Sequence, residues 1–325
     1  MTLKKWVLAA GASTVLALGV TACGDDDEEA TDGGGGDTPA GLSGTIRIDG
    51  SSTVAPLSEA AAELFQQENP DVNVTVGTSG TGGGFEKFCV GETDISDASR
   101  QIDPEEEIPL CEENGVEYEE VTVANDALTV VVNPENPVTC MTVDQLNQAW
   151  GPDATISSWS EFDDLDAEFS EELQLFGPGT DSGTFDYFTD AVNGEEGVQR
   201  KDYNNVGEDD NATVTGVSGS PGGMGYFGFS FFEENADTLK ALEIDGGDGC
   251  VAPSVETVQD GSYQPLGRGL FIYPSAEALQ KEEVQAFVSF YIENQEAITE
   301  AAGFIPMTEE QTTESQEKVD SLAGA

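Results

Sequence analysis

The apolar and polar positions of this chain spell strand, loop, helix three times. Thr45-Ile46-Arg47-Ile48-Asp49 alternates as a half-buried strand does, Gly50-Ser51-Ser52-Thr53 breaks the pattern, and Val54, Leu57, Ala61, Leu64 and Phe65 share a helical face that runs to Gln67. Pro56 is tolerated there because it lies in the first turn, where its missing N–H leaves no bond unmade. Asn73 to Val76 reads as a second strand, Gly77 to Gly84 as a glycine-rich loop, and Phe85-Glu86-Lys87-Phe88 as the start of a second helix. Leu173 to Phe176 is a third strand, feeding Gly177-Pro178-Gly179-Thr180-Asp181-Ser182-Gly183-Thr184 and a helix whose apolar face is Phe185, Phe188, Ala191 and Val192. Each loop sets hydroxyls and glycines at a helix N-terminus, where unpaired amides and the positive end of the dipole favour an anion. One hydroxyl-rich cap is a common structural device; three of one design are the signal.

The rest of the pattern predicts how these units are joined. Thr93 to Arg100 is a brief strand ending in polar residues, and Val121 to Pro134 is the longest β-type run, long enough to pass from one lobe into another. Met141 to Trp150 reads as a helix, Gly151 to Phe162 as a turn-rich segment, and Val214 to Val217 as a return of apolar pattern. Gly222 to Phe232 alternates glycine with aromatics, which are expected in core and interlobe packing. Gly269 to Pro274 is the strand that returns to the first lobe. Val284, Phe287, Val288 and Tyr291 line one face of a helix over 282–294, Gly303 to Pro306 closes the fold, and the polar tail from Thr308 is expected to fray. A body of about 300 residues exceeds what one small core usually holds, so two lobes are expected.

Composition narrows the class. Of 11 Lys and Arg, Lys4 and Lys5 precede the short apolar run from Trp6 to Val20, leaving nine basic residues against 64 acidic ones. A basic flank, an apolar core too short to span a bilayer and the small residues before Cys23 predict an exported chain with a signal over 1–22. A cysteine at that point resembles the bacterial lipobox, which implies lipidation at Cys23 and a membrane anchor. Residues 23–42, with the run GDDDEEATDGGGGDTPAG, then form an acidic, glycine-rich tether. A formal charge of −53 excludes nucleic acid as a partner and predicts stabilisation by salt, because screening weakens self-repulsion. Cys89, Cys111, Cys140 and Cys250 make an even set in an exported chain and predict disulfides. Three connectivities are open; Cys89 with Cys111 and Cys140 with Cys250 is preferred, because the first closes a local loop and the second ties two ends of one lobe.

Catalysis finds no footing. The chain has no histidine, which removes a Ser-His-Asp triad and the commonest zinc and iron ligands. A Ser-Lys pair would need a lysine that nothing marks, and no two acids stand out as a glycosidase pair. The glycine-rich loop lacks the Gly-Lys-Ser/Thr of a nucleotide-binding loop. Binding is the better class, and no cofactor or metal is expected. Arg100 ends a strand that reads as buried, and its planar fork suits a tetrahedral oxyanion as well as it suits a salt bridge. Asp97 is either a turn cap or an acceptor for a protonated ligand.

The segments IDGSSTVAPLSEAAAELF, VGTSGTGGGFEKFCVGETDISDASR, VANDALTVVVNP, FGPGTDSGTFDYFTDAV, GYFGFSFF and GFIP resemble, in order, the phosphate-binding lipoproteins of bacterial phosphate ABC importers. The resemblance spans nearly all of residues 43–307. It implies an α/β, two-lobed periplasmic-binding-protein fold of type II, each lobe a mixed sheet flanked by helices with the ligand cleft between them. Lobe 1 is expected over 43–125 and 265–325, and lobe 2 over 126–264. The chain is expected to act as a monomer outside the cell membrane, delivering inorganic phosphate to an importer permease. Motif by motif, the implied ligand contacts are Ser52 and Thr53, then Ser79, Gly80 and Thr81, then Ser182, Gly183 and Thr184. Many family members carry an arginine just before the last of these motifs; here that stretch reads Gly177-Pro178-Gly179-Thr180-Asp181. Arg100 is the candidate to supply the charge, with Asp97 or Asp181 accepting the ligand's proton. Binding proteins for sulfate, molybdate or tungstate would share the fold but lack that acceptor, and a secreted phosphatase would need a nucleophile or metal that the chain does not offer.

Overall fold

The computed structural model describes residues 41–324; the signal, Cys23 and most of the tether lie outside the described residues. The chain opens with β1 (Gly44–Gly50), α1 (Ala55–Glu68), β2 (Val72–Gly77), α2 (Gly80–Phe88), β3 (Ile95–Ala98), α3 (Glu107–Asn114) and β4 (Val121–Val132). It continues through β5 (Cys140–Thr142), α4 (Val143–Trp150), β6 (Gln174–Gly177), α5 (Gly183–Phe188), β7 (Asn204–Asn205), α6 (Asp210–Gly219), β8 (Gly223–Gly228) and α7 (Phe229–Asn235). Then come β9 (Lys240–Ala241), β10 (Glu243–Asp245), β11 (Cys250–Val251), α8 (Val255–Gln259), β12 (Gly267–Pro274), α9 (Glu282–Glu293), α10 (Gln295–Ala302) and α11 (Glu309–Ala323).

The main sheet has the order β2-β1-β3-β12-β4-β8-β6-β7, with β9 also on β4, and β11-β10-β5 form a small second sheet. Strand β4 joins the two halves. Its first part, Val121 to Ala127, pairs antiparallel with β12, and its second part, Leu128 to Val132, pairs antiparallel with β8. Strands β1, β2 and β3 run parallel, as do β6, β7 and β8, because a helix crosses between neighbours on each side. One core lies under α1, α9 and α11 and contains Ile46, Leu57, Phe65, Phe287 and Val319; the other contains Leu128, Trp150, Phe188, Met224 and Tyr226. Tyr226 is the keystone of the second, stacked on Phe188 at 3.7 Å and edge-on to Trp150 at 4.9 Å. Burial of side chains this size stabilises by roughly 1.5–3 kcal/mol each.

The disulfides are Cys89–Cys111 and Cys140–Cys250, the pairing preferred from the sequence. The second ties β5 to β11 at opposite edges of the small sheet. The expectation of a frayed tail is overturned: Thr308 and Gln311 form a reciprocal capping box, and α11 buries Ser315, Val319 and Leu322. Those three fall four and three residues apart, one face of a helix, so docking against the first core outweighs the polarity of the other faces. Among the described residues no helix is long and apolar enough to cross a membrane.

Candidate functional site

Three strand ends deliver the predicted loops to one place. At the end of β1, Gly50 has φ of +150°, and a Cβ there would lie 2.1 Å from the Asp97 carbonyl oxygen, so only glycine lets β1 and β3 come this close. That same carbonyl accepts the Ser51 N–H at 2.9 Å, and Ser51 Oγ accepts from Thr53 N–H at 3.2 Å. The turn before α1 is thereby fixed, with Ser52 and Thr53 facing outward from it.

The second loop is held by Asp49. Its carboxylate accepts from the Ser79 hydroxyl and, at 3.2 Å, from Ser79 N–H, while Lys87 on α2 pairs with it at 2.7 Å. Burial raises the Asp49 pKa, but Lys87 and Ser79 outweigh it and hold the group below its ordinary value. Ser79 thus anchors the loop, and Gly80 and Thr81 form the first turn of α2. Thr81 Oγ1 lies 3.1 Å from Ser99 Oγ, which links the loop to the end of β3. The third loop ends in Ser182, which is buried and makes no capping bond to α5. At Gly183 a Cβ would stand 2.9 Å from Thr53 Oγ1; the loop after β6 and the loop after β1 are in near contact.

Two cavities flank this contact, of about 270 Å³ and about 410 Å³, and both are walled by Ser52, Thr53, Gly183 and Arg268. Ser79, Gly80, Thr81 and Arg100 face the smaller; Ser182, Thr184 and Asp126 face the larger. Asp97 and Asp181 line neither: Asp97 is sealed in the core and Asp181 is exposed on the surface. They are not at the wall where a ligand's proton would be taken.

Beside Arg100, a second arginine that the sequence reading did not single out, Arg268, lines the cavities. Among the described residues Arg47, Arg100, Arg200 and Arg268 each pair with a carboxylate, but only Arg100 and Arg268 reach a cavity. Arg100 is clamped by both oxygens of Glu107, at 2.8 and 2.7 Å, and its side chain is 47% exposed. Arg268, on β12, is 19% exposed; Nε and Nη2 both reach Asp126 Oδ2 at 3.1 Å, Nη1 donates to Ser99 O at 3.2 Å, and the guanidinium carbon lies over the Tyr187 ring. A less solvated cation acts over a longer range. Both bonds from Arg268 go to the same oxygen, Oδ2, and Asp126 lines the larger cavity beside it. The one sequence cue for Arg268 was a lone charge between Gly267 and Gly269 at the start of an apolar strand.

The smaller cavity also carries Asp186, whose pKa is raised by burial and by the Glu196 carboxylate. The larger carries Asp210, pushed up to about 6 by burial and by Glu208 and Asp209. Burial thus makes the charged form of these two carboxyls less favourable than that of an exposed acid.

Comparison with known proteins follows the same lines. Residues 35–295 match the model of the PBP superfamily domain. The chain is 37% identical to the phosphate-binding protein PstS of Staphylococcus saprophyticus, across 99% of this chain and 96% of that one. The chain belongs to the PstS family of phosphate-binding proteins. It is also 48% identical to protein SphX of Synechococcus elongatus over 81% of this chain and 77% of that one. A solved structure of a possible phosphate binding protein from Planctomyces limnophilus is 43% identical and superposes with a TM-score of 0.80, covering 87% of this chain and all but 1% of the other. The fold is accordingly the two-lobed one of the PstS family.

Proposed function

We propose that this chain captures one inorganic phosphate between lobe 1, residues 43–125 and 265–325, and lobe 2, residues 126–264, and hands it to the permease of an ABC importer. It acts by binding and release, without turning its ligand over. Ser52, Thr53, Gly80, Thr81, Ser182, Gly183 and Thr184 supply hydroxyl and amide donors, and Ser79 holds its loop in place through Asp49. Arg268 supplies the principal charge and Arg100 a lesser one. Asp126, which lines the larger cavity beside Arg268, accepts the phosphate proton in place of Asp97 or Asp181. Phosphate near neutral pH keeps a proton for that oxygen; sulfate has none and would set two negative groups face to face.

The observation that carries this reading is the shared wall of the two cavities, where loops from both halves meet at Gly183 and Thr53 beside Arg268. The names of the relatives support the choice of ligand. The chain would work as a monomer outside the cytoplasmic membrane, held by lipid on Cys23. Equilibrium dialysis of the ligand-stripped protein against labelled phosphate tests it. One phosphate retained per chain is expected, and no retention would contradict it.

A further inference from the structure

Asp97 is the most thoroughly enclosed carboxyl near the site: it is 0% exposed, its Oδ1 accepts from Ser58 Oγ at 2.9 Å, and its Oδ2 has no partner. A buried ionised carboxylate with one bond and no cation is strongly disfavoured, and such a group keeps its proton instead. The groups that face it come from three elements. Ser58 lies on α1, Tyr291 on α9 stands 3.4 Å from the Ser58 hydroxyl, and Asp49 at the end of β1 adds like charge. Among the described residues no basic group pairs with it. Burial, then Asp49, lift its pKa to about 8 against the pull of Ser58.

Its position gives this proton a consequence. The Asp97 carbonyl holds Ser51 N–H, its side chain holds Ser58, and the turn between those two residues carries Ser52 and Thr53. Asp97 therefore grips both ends of the segment that starts α1 without itself lining either cavity.

We infer that Asp97 is a positioning residue that must stay protonated for full phosphate affinity, so that the first loop works as a pH-sensitive element of the site. With the proton on Oδ2, Asp97 is neutral while its Oδ1 still accepts from Ser58, and the segment sits on a neutral base. On deprotonation a buried negative charge appears behind the N-terminus of α1, opposing the dipole that faces the ligand. Charges on the order of 10 Å apart, at an effective dielectric of about 20, repel enough for about a tenfold loss of affinity.

This inference rests on the phosphate reading. Its test is calorimetric titration of the full chain with phosphate from pH 6.5 to 9.5, for the native protein and Asp97→Asn; comparing the two cancels the titration of phosphate itself. The native affinity is expected to fall about tenfold more than the variant's over that range. Parallel profiles would overturn the inference. Infrared difference spectra of the native protein give a second reading that needs neither the variant's folding nor the ligand. A carboxylic acid band present at pH 7.5, where Asp210 has released its proton, and lost by pH 9.5 is expected, and its absence at pH 7.5 would overturn the inference. A native protein that takes up no phosphate at any pH would strike the proposed function, while the band would still decide the state of Asp97.

Discussion

The Arg268 guanidinium lies 3.5 Å from the centre of the Tyr187 ring, which joins β12 of one half to α5 of the other. Asp126 on the connecting strand holds the same guanidinium, and Tyr187 O–H donates to Pro265 O at 2.9 Å, on the segment leading into β12. Cation, carboxylate and aromatic thus form one unit that joins β12, β4 and α5 beside the third loop.

Replacing Arg268 with Gln is expected to weaken phosphate binding by about 100-fold or more, because it removes a half-desolvated charge and leaves Asp126 unpaired. Arg100→Gln is expected to cost no more than about tenfold, since its charge is solvated and already neutralised by Glu107. Dialysis of both variants, with a thermal melt to confirm folding, checks the ranking; the reverse order would return the main role to Arg100.

Gly183→Ala tests the contact between the loops. A methyl at that position would stand 2.9 Å from Thr53 Oγ1, and relief by rotating Thr53 would turn its hydroxyl away from its present aim. Closure should become incomplete and phosphate release faster by about tenfold, as expected when about 1.4 kcal/mol of bound-state packing is lost. Stopped-flow release rates measure it.

The strand-loop-helix units and the passage of β4 between halves could be read from local pattern, while the disulfides are the pairing preferred among three that the sequence left open. Ser52, Thr53, Ser182, Gly183 and Thr184 were legible because each sits in a continuous loop-helix motif. Arg268 was not, because its partner Asp126 is 142 residues away in sequence and its stacking partner Tyr187 lies in the other half. Asp97 was misread for a related reason. Its side chain turns toward α1 and α9, which only the packing of those helices on the sheet reveals. In α11 the buried positions were regular enough to read, but the surrounding charge hid them.

The two disulfides should differ in weight. They close loops of 110 and 22 residues, so loop entropy predicts that removing Cys140–Cys250 destabilises by about 1–2 kcal/mol more than removing Cys89–Cys111. Urea melts of the two paired Cys→Ala variants give the comparison.

Stability should also carry the mark of Asp97. Its pKa is about 8 in the folded protein against an ordinary 3.8, so the folded state holds a proton that the unfolded chain releases. Its contribution is complete below pH 4 and is lost as pH rises through 8. Asp97→Asn should flatten the decline of unfolding free energy between pH 5 and pH 9 by a few kcal/mol. Added salt should raise the melting temperature of both proteins, because 64 acidic residues repel one another; indifference to salt would contradict that part.

The proposed function requires that the three loops and Arg268 recognise a protonated tetrahedral anion. Calorimetric titration of the ligand-stripped protein with phosphate and then sulfate, in one buffer near neutral pH, tests it most directly. Phosphate is expected to bind at least about a thousandfold more tightly, since sulfate leaves a buried carboxylate facing another negative group. Equal affinities for the two anions would contradict it.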